Sequence, residues 1–442
     1  MIGQRLAAVF TATLAALVWG VVPRPGLAAG DGAAAVLRAA AATLGVAAHA
    51  GALYTSGTLA TAGQTGTFTS WLDFTNGYSV SHSVVGPLVA DQGYDGQAWT
   101  ASNGITTVDD LPATQAANVT SVYLALDAWA KPTTAAISDL GTRVDGGKDY
   151  RAIRIVPAGG VPATLWFDLI SHRLARTDVQ TDAGSTTDRY ADYRSVDGLQ
   201  VPFHDVNRAA DGTVSTSEVT EAKIEALRAN ALARTPSVER GSIANGAVQA
   251  RIPFRLSLGD SGNVVLPVAF AKLAPVLMVF DTGGRNVLMP AAARALGFSG
   301  AGGLDVGGVG ESTERATLAT VGTMSAGDAV LVDQHAFVLP LPFSLGATFA
   351  HETVDGLVGF EMLFNFQTTI DYARRTITFA PFASPAAPPA GGTVVRFLSD
   401  GSTPYVEAAI DGVTGLFMVD TGNVNELHEI VLLVNGHASS QG

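Results

Sequence analysis

Apolar and polar residues alternate along much of this chain, a period-two pattern that predicts strands rather than long helices. Clear cases are Thr67-Phe68-Thr69-Ser70-Trp71-Leu72-Asp73-Phe74, Tyr150-Arg151-Ala152-Ile153-Arg154-Ile155-Val156 and Thr164-Leu165-Trp166-Phe167-Asp168. Asn76-Gly77, Asp95-Gly96, Asp145-Gly146-Gly147 and Asp197-Gly198 separate such runs as turns. Helical spacing is confined to two places here. Val36, Leu37, Leu44 and Val46 predict an amphipathic helix between Gly30 and His49, and a second helix is expected over Ala113–Trp129. One helix followed by a long antiparallel meander predicts a strongly curved sheet wrapped over helices. Periodicity fades over residues 226–250, which read as a linker, and short strands resume from Arg251.

The first thirty residues have a different character. Arg5 precedes an apolar stretch from about Leu6 to Val22, then Pro23-Arg24-Pro25 and the small residues Gly26-Leu27-Ala28-Ala29. This reads as an export signal over residues 1–29, cleaved after Ala28 or Ala29, with an uncleaved anchor as the competing reading. No later stretch is apolar for long enough to span a bilayer. An exported chain without cysteine suits a bacterial periplasm, so a periplasmic location is expected.

Composition narrows the chemistry further. The 442 residues can hold two or three domains, each with its own core. A formal net charge of −13, with no local Lys/Arg cluster, argues against a nucleic-acid partner. Zero cysteines exclude disulfides, thiolate catalysis and Cys-ligated metals. The eight histidines (His49, His82, His172, His204, His335, His351, His428 and His437) form no close pair, so neither a metal site nor a cofactor is expected.

Residues 146–224 run in a recognisable order: Gly146-Gly147-x-x-Tyr150, an Ile/Val-rich strand ending at Pro157, Leu165-Trp166-Phe167-Asp168 and Arg173-Leu174. Tyr190-x-x-Tyr193-Arg194-x-Val196-Asp197-Gly198-Leu199-x-Val201-Pro202 follows. This rhythm resembles the half-open barrel of periplasmic lipoprotein-carrier proteins, the LolA-like fold, over most of residues 34–225. The resemblance implies a concave face for an acyl chain, lipoprotein or extended peptide. The plainer reading is that Trp71, Trp99, Trp166 and Phe167 fill a sheet core.

The chemistry lies in a repeat. Asp281-Thr282-Gly283 and Asp420-Thr421-Gly422 stand 139 positions apart, each after an apolar run, Leu277-Met278-Val279-Phe280 and Leu416-Phe417-Met418-Val419. The first copy continues through Val287-Leu288-Met289-Pro290 into a short helix, Ala291–Leu296. A Gly-rich stretch follows over 302–310, then Asp355-Gly356-Leu357-Val358-Gly359; by resemblance to the retropepsin-like aspartic peptidases the first would be a hairpin over a cleft and the second would brace the turn. Phe360–Phe366 would be the helix after it, and a hairpin from Thr368 to Phe379 closes the lobe. The order resembles the retropepsin-like aspartic peptidases. The fold expected overall is thus mainly β (α+β): a curved antiparallel half-barrel, residues 30–225, followed by an all-β acid-protease domain. Its first lobe is 251–380, an Ala/Pro/Gly linker is 381–392, and a second lobe is 393–442.

The resemblance implies peptide hydrolysis of a polypeptide substrate, with Asp281 and Asp420 as the catalytic pair and Thr282, Gly283, Thr421 and Gly422 in support. Two facing carboxyls cannot both ionise, so the ionised one takes a proton from water while the neutral one polarises the peptide carbonyl. Either triplet alone is also good material for an ordinary Asx turn. Two departures stand out. Gly284 and Asn423 follow the triplets where the family usually has Ala, Ser or Thr, a change expected to be tolerated. Only twenty residues follow Gly422, against about ninety-six from Gly283 to Phe379. No second hairpin over the cleft and no second apolar-apolar-Gly strand is expected there, and if the reading frame is shifted or interrupted, exposed edges such as Leu416–Val419 would lack partners. Three accounts stay open: a shifted or interrupted reading frame near Val424, two chains pairing through their first lobes as a homodimer, or an exported binding protein on a scaffold that has lost catalysis.

Overall fold

The computed structural model describes residues 31–441 apart from 46–50, 62, 103, 182–183, 211, 229, 259–260, 308–312, 342–353, 383–390, 411, 423–429 and 435–436. The export signal expected over residues 1–29, the tip of the Gly-rich stretch and Asn423 lie outside that set. The chain divides into two compact units, meeting in sequence at Thr235 and Pro236, with Ala101–Thr107 belonging to the second. Among the described residues no helix is long and apolar enough to cross a membrane.

The first unit begins with helix α1 (Asp31–Leu44) and strands β1 (Ala52–Thr61), β2 (Gln64–Asp73), β3 (Ser79–Val85) and β4 (Leu88–Tyr94). Strands β5 (Ala98–Ser102) and β6 (Ile105–Asp109) follow, then helix α2 (Pro112–Ala125) and a 3₁₀ turn at Ala128–Ala130. The meander continues through β7 (Ala136–Asp145), β8 (Lys148–Val156), β9 (Ala163–Asp168), β10 (Leu174–Thr181), β11 (Gly184–Val196), β12 (Leu199–Arg208) and β13 (Val214–Glu225). They form one thirteen-stranded sheet in which β1 pairs with β13, joining the two meanders in the middle. The expected curved sheet over helices is what the structure contains.

Period-two alternation decides which residues enter the core. Leu53, Leu59, Phe68, Leu72, Ile153, Ile155, Leu165 and Phe167 pack with Leu37 and Leu44 of α1, Leu124 of α2 and Trp129. Each such burial contributes about 1.5–3 kcal/mol. Of the four aromatic residues read as filling a sheet core, Trp99 and Phe167 are buried while Trp71 and Trp166 are only half-buried. Phe167 is core, with its ring 5.2 Å from Trp129. Its neighbour Trp166 points to the opposite face, where it stacks under Arg176 and donates to Asp178 Oδ2 at 2.7 Å. Adjacent residues on a pleated strand cannot do otherwise.

The second unit is built on a nine-stranded sheet. Gly241–Ile243, inside the expected linker, already belongs to it, paired with Ala329–Leu331. Strand Val276–Phe280 lies between Ser261–Phe270, antiparallel to it, and Gly356–Val358, parallel to it. Helices Pro290–Ala295 and Phe360–Asn365 occupy the expected places, and Gln367–Asp371 pairs with Thr376–Ala380. The core holds Val264, Leu266, Val268, Met278, Phe280, Phe366 and Phe379. The ending differs from expectation. Ile430–Val434 and His437–Gln441 form a further hairpin, and Leu416 pairs with Leu433, so the strand Val413–Met418 has a partner on that side. Reading the tail by family pattern missed this hairpin, because its strands are too short to show a strong period.

Phe379 is fully buried, with the rings of Phe280 and Phe366 each 5.8 Å away. Phe379→Ala should destabilise the second unit by about 3–5 kcal/mol, read as a lowered urea midpoint for that unit.

Candidate active site

Strand Val276–Phe280 ends at Asp281, and the turn that follows is held from behind. Asp281 N donates to Val358 O at 2.9 Å and Phe360 N to Gly284 O at 2.9 Å. A Cβ on Gly359 would lie 2.0 Å from Gly284 O, so only glycine lets the bracing strand approach this closely. The loop beyond the triplet is tied to the helix Phe360–Asn365 as well. Glu361, almost fully buried, accepts from Asn286 N at 3.1 Å and pairs with Arg285 at 3.3 Å, while Arg285 lies 4.5 Å over the Phe360 ring.

The two triplets meet, as the sequence repeat implies. Each forms the same local turn: Gly283 N donates to Asp281 Oδ1 at 2.9 Å, and Gly422 N to Asp420 Oδ1 at 2.8 Å. Both are therefore Asx turns as well, and the plain reading of the motif holds alongside the other. What an isolated turn would not have is the reciprocal contact. Thr282 Oγ1 donates to Val419 O at 2.6 Å, and Thr421 Oγ1 donates to Phe280 O at 2.6 Å. In return Thr282 N donates to Thr421 Oγ1 at 3.1 Å, and Thr421 N to Thr282 Oγ1 at 3.0 Å. Each hydroxyl thus binds the carbonyl just ahead of the opposite aspartate.

The glycines allow the close approach. A Cβ on Gly422 would stand 2.3 Å from the Asp281 carboxyl carbon, and one on Gly283 would stand 2.8 Å from that of Asp420. Gly284 is equally constrained: a Cβ there would lie 2.4 Å from Asp281 Oδ2. Glycine leaves room for the carboxylate, and its amide also donates to it.

Asp281 is 8% exposed. Burial, then the charge of Asp420 and a hydrogen bond to it, push the Asp281 carboxyl up to about 8, against the opposing pull of the Gly283 and Gly284 amides. The pair therefore holds a proton at neutral pH, and that proton belongs to the pair. Among the described residues no group of three or more His, Cys, Asp or Glu could hold a metal ion.

Sequence reading missed the side chains that join the two turns from the flanks. Asn263 Nδ2 donates to Thr421 O at 2.9 Å, and Thr403 Oγ1 donates to Gly283 O at 3.3 Å. Thr403 is itself set by Asp400, whose Oδ1 accepts from Ser402 N and Thr403 N at 2.8 and 2.7 Å, and whose Oδ2 accepts from Tyr405 OH at 3.2 Å. The signal was present: the 139-residue offset lays Asn263 on Ser402, one residue from Thr403.

No protein-family model matches the chain, and no curated protein does. Among solved structures it is similar to a DUF1329 family protein from Desulfovibrio piger, at 12% identity over 46% of this chain and 97% of that one, TM-score 0.33. It is similar to a LolA superfamily protein from Nitrosomonas europaea, at 14% identity over 45% and 96%, TM-score 0.32. A third is the Pseudomonas aeruginosa MucA/MucB complex, at 12% identity over 74% and 99%, TM-score 0.17. Likeness at this level says nothing of activity.

An acid whose folded-state value lies above its unfolded value binds more protons folded than unfolded. The contribution of Asp281 to stability is then full below its ordinary 3.8 and is lost as pH rises towards about 8. Between pH 4 and pH 8 the urea midpoint of the second unit should fall more steeply in the wild type than in Asp281→Asn. Parallel profiles would show that Asp281 carries no raised value.

Proposed function

We propose that the protein is an aspartic-type endopeptidase, exported to the periplasm, that hydrolyses polypeptides with the Asp281/Asp420 pair. The observation that carries this reading is the reciprocal bonding of Thr282 and Thr421, which brings two carboxyls together around one proton. Both aspartates come from one chain, so a second copy is not required to complete the pair. In the reaction the ionised carboxyl takes a proton from water as its oxygen attacks the peptide carbonyl. The protonated carboxyl donates to that carbonyl, and the proton taken from water passes to the leaving amine. The role requires the pair to keep its one proton, so cleavage of unfolded protein should be favoured on the acid side and fall as pH rises through about 8.

A second reading, a carrier or scaffold for a lipid or peptide that cleaves nothing, is favoured by the first unit. Its curved sheet keeps buried hydroxyls without partners on the inner face. The readings separate cleanly. Asp281→Asn and Asp420→Asn should each lower acid-favoured cleavage of an unfolded protein by roughly 10²–10⁴-fold. Cleavage that survives both substitutions, or its absence from the wild type at every pH, would leave the carrier reading standing.

A further inference from the structure

A short segment of the second unit comes from far ahead of the rest of it. Ala101–Thr107 belong to that unit, whose main stretch begins at Pro236. Ala101, Ile105 and Thr107 are buried. The chain at Ser237–Arg240 runs beside this segment: Thr106 N donates to Ser237 Oγ at 2.9 Å, and Val238 N donates to Gly104 O at 2.7 Å. Gly104 has a positive φ of 75°, and a Cβ there would lie 2.1 Å from Arg240 Nε. Backbone angle and close approach both require glycine.

From this segment, contacts lead to two points of the turn that carries Asp281. Arg240 N donates to Asn365 Oδ1 at 3.2 Å, and Asn365 Nδ2 donates to Glu361 O at 2.8 Å. Glu361 holds Asn286 N, just beyond the triplet. The second path starts at Thr107. A Cβ on Gly401 would stand 3.2 Å from Thr107 Oγ1. Gly401, at φ 92°, lies inside the turn that Asp400 closes by accepting from Ser402 N and Thr403 N. Thr403 Oγ1 in turn reaches Gly283 O, inside the triplet.

We propose that Gly104–Thr107 is a positioning element for the Asp281/Asp420 pair, holding Arg240 and Gly401 so that Glu361 and Thr403 fix the Asp281 turn. Its effect on cleavage rests on the peptidase reading, whereas the geometry it sets does not. Contacts in series transmit a displacement only where they cannot absorb it. Gly104 and Gly401 have no side chain that could change rotamer, and both already occupy left-handed backbone. A bulkier neighbour therefore moves the turn itself.

The test uses the full chain with two variants, steady-state cleavage of fluorescein-labelled casein across pH, and carbon-13 NMR of the Asp281 carboxyl, its signal assigned with Asp281→Asn. Thr107→Phe, which presses on Gly401, should lower kcat by about tenfold with KM little changed, the pattern of a lost transition-state arrangement. Ser237→Ala, at an exposed position, should lower kcat in the same direction by about twofold. The Asp281 carboxyl, raised to about 8 in the wild type, should titrate lower in Thr107→Phe, because a loosened turn admits water between the carboxyls. Thr107→Phe combined with Thr403→Val should be no slower than Thr403→Val alone, since both act on one contact. Unchanged kcat and unchanged titration in both variants would overturn the proposal, as would a change in KM alone or factors that multiply in the double variant. Should Thr107→Phe fail to fold, Ser237→Ala decides by the same two readouts. A wild type that cleaves nothing defeats the peptidase reading, and the NMR titration then decides the positioning by itself.

Discussion

Two threonine hydroxyls hold the second unit's site together. Thr282 and Thr421 each donate to the carbonyl that precedes the other aspartate and accept the other's amide. Four bonds in a closed set leave little freedom for either turn, and they keep the carboxyls close despite the repulsion of like charges. Two like acids would otherwise move apart or draw in water. Held in place, they share a proton instead, and burial, then the charge and hydrogen bond of Asp420, raise the Asp281 value.

The surrounding structure serves that constraint. The strand Gly356–Val358 and Gly359 support the first turn from behind, and Glu361 ties its outgoing loop to a helix. Asn263, in the strand Ser261–Phe270, and Thr403 then each reach across to a carbonyl of the opposite triplet. The arrangement has an approximate two-fold character that follows from the repeat. It is not exact, because an amide serves on one side and a hydroxyl on the other.

Much of this was legible in the sequence, for physical reasons that differ by element. Strands such as Lys148–Val156 and Ala163–Asp168 were legible from their apolar and polar residues and bounding turns, and the repeat of Asp-Thr-Gly behind apolar runs identified both turns. The pairing of the triplets followed from their number and not from their local pattern, since each alone is an ordinary Asx turn. What escaped notice depends on approach in three dimensions. Asn263, Thr403 and Glu361 have no periodic signature, and the need for glycine at 284 appears only once the Asp281 carboxylate is in place. The tail hairpin was missed because family pattern was followed where local strand signals are weak. In the first unit, alternation explained why Trp166 and Phe167 part company.

The most direct test of the central claim is a double-mutant cycle on Thr282→Val and Thr421→Val, read by urea unfolding of the second unit. Valine keeps the shape and removes the hydroxyl. If the two side chains act as one closed set, the substitutions will be non-additive, with a coupling of about 0.5–3 kcal/mol. Effects that add within about 0.3–0.5 kcal/mol would mean that the two turns are held independently, and the account of a mutually locked aspartate pair would fail.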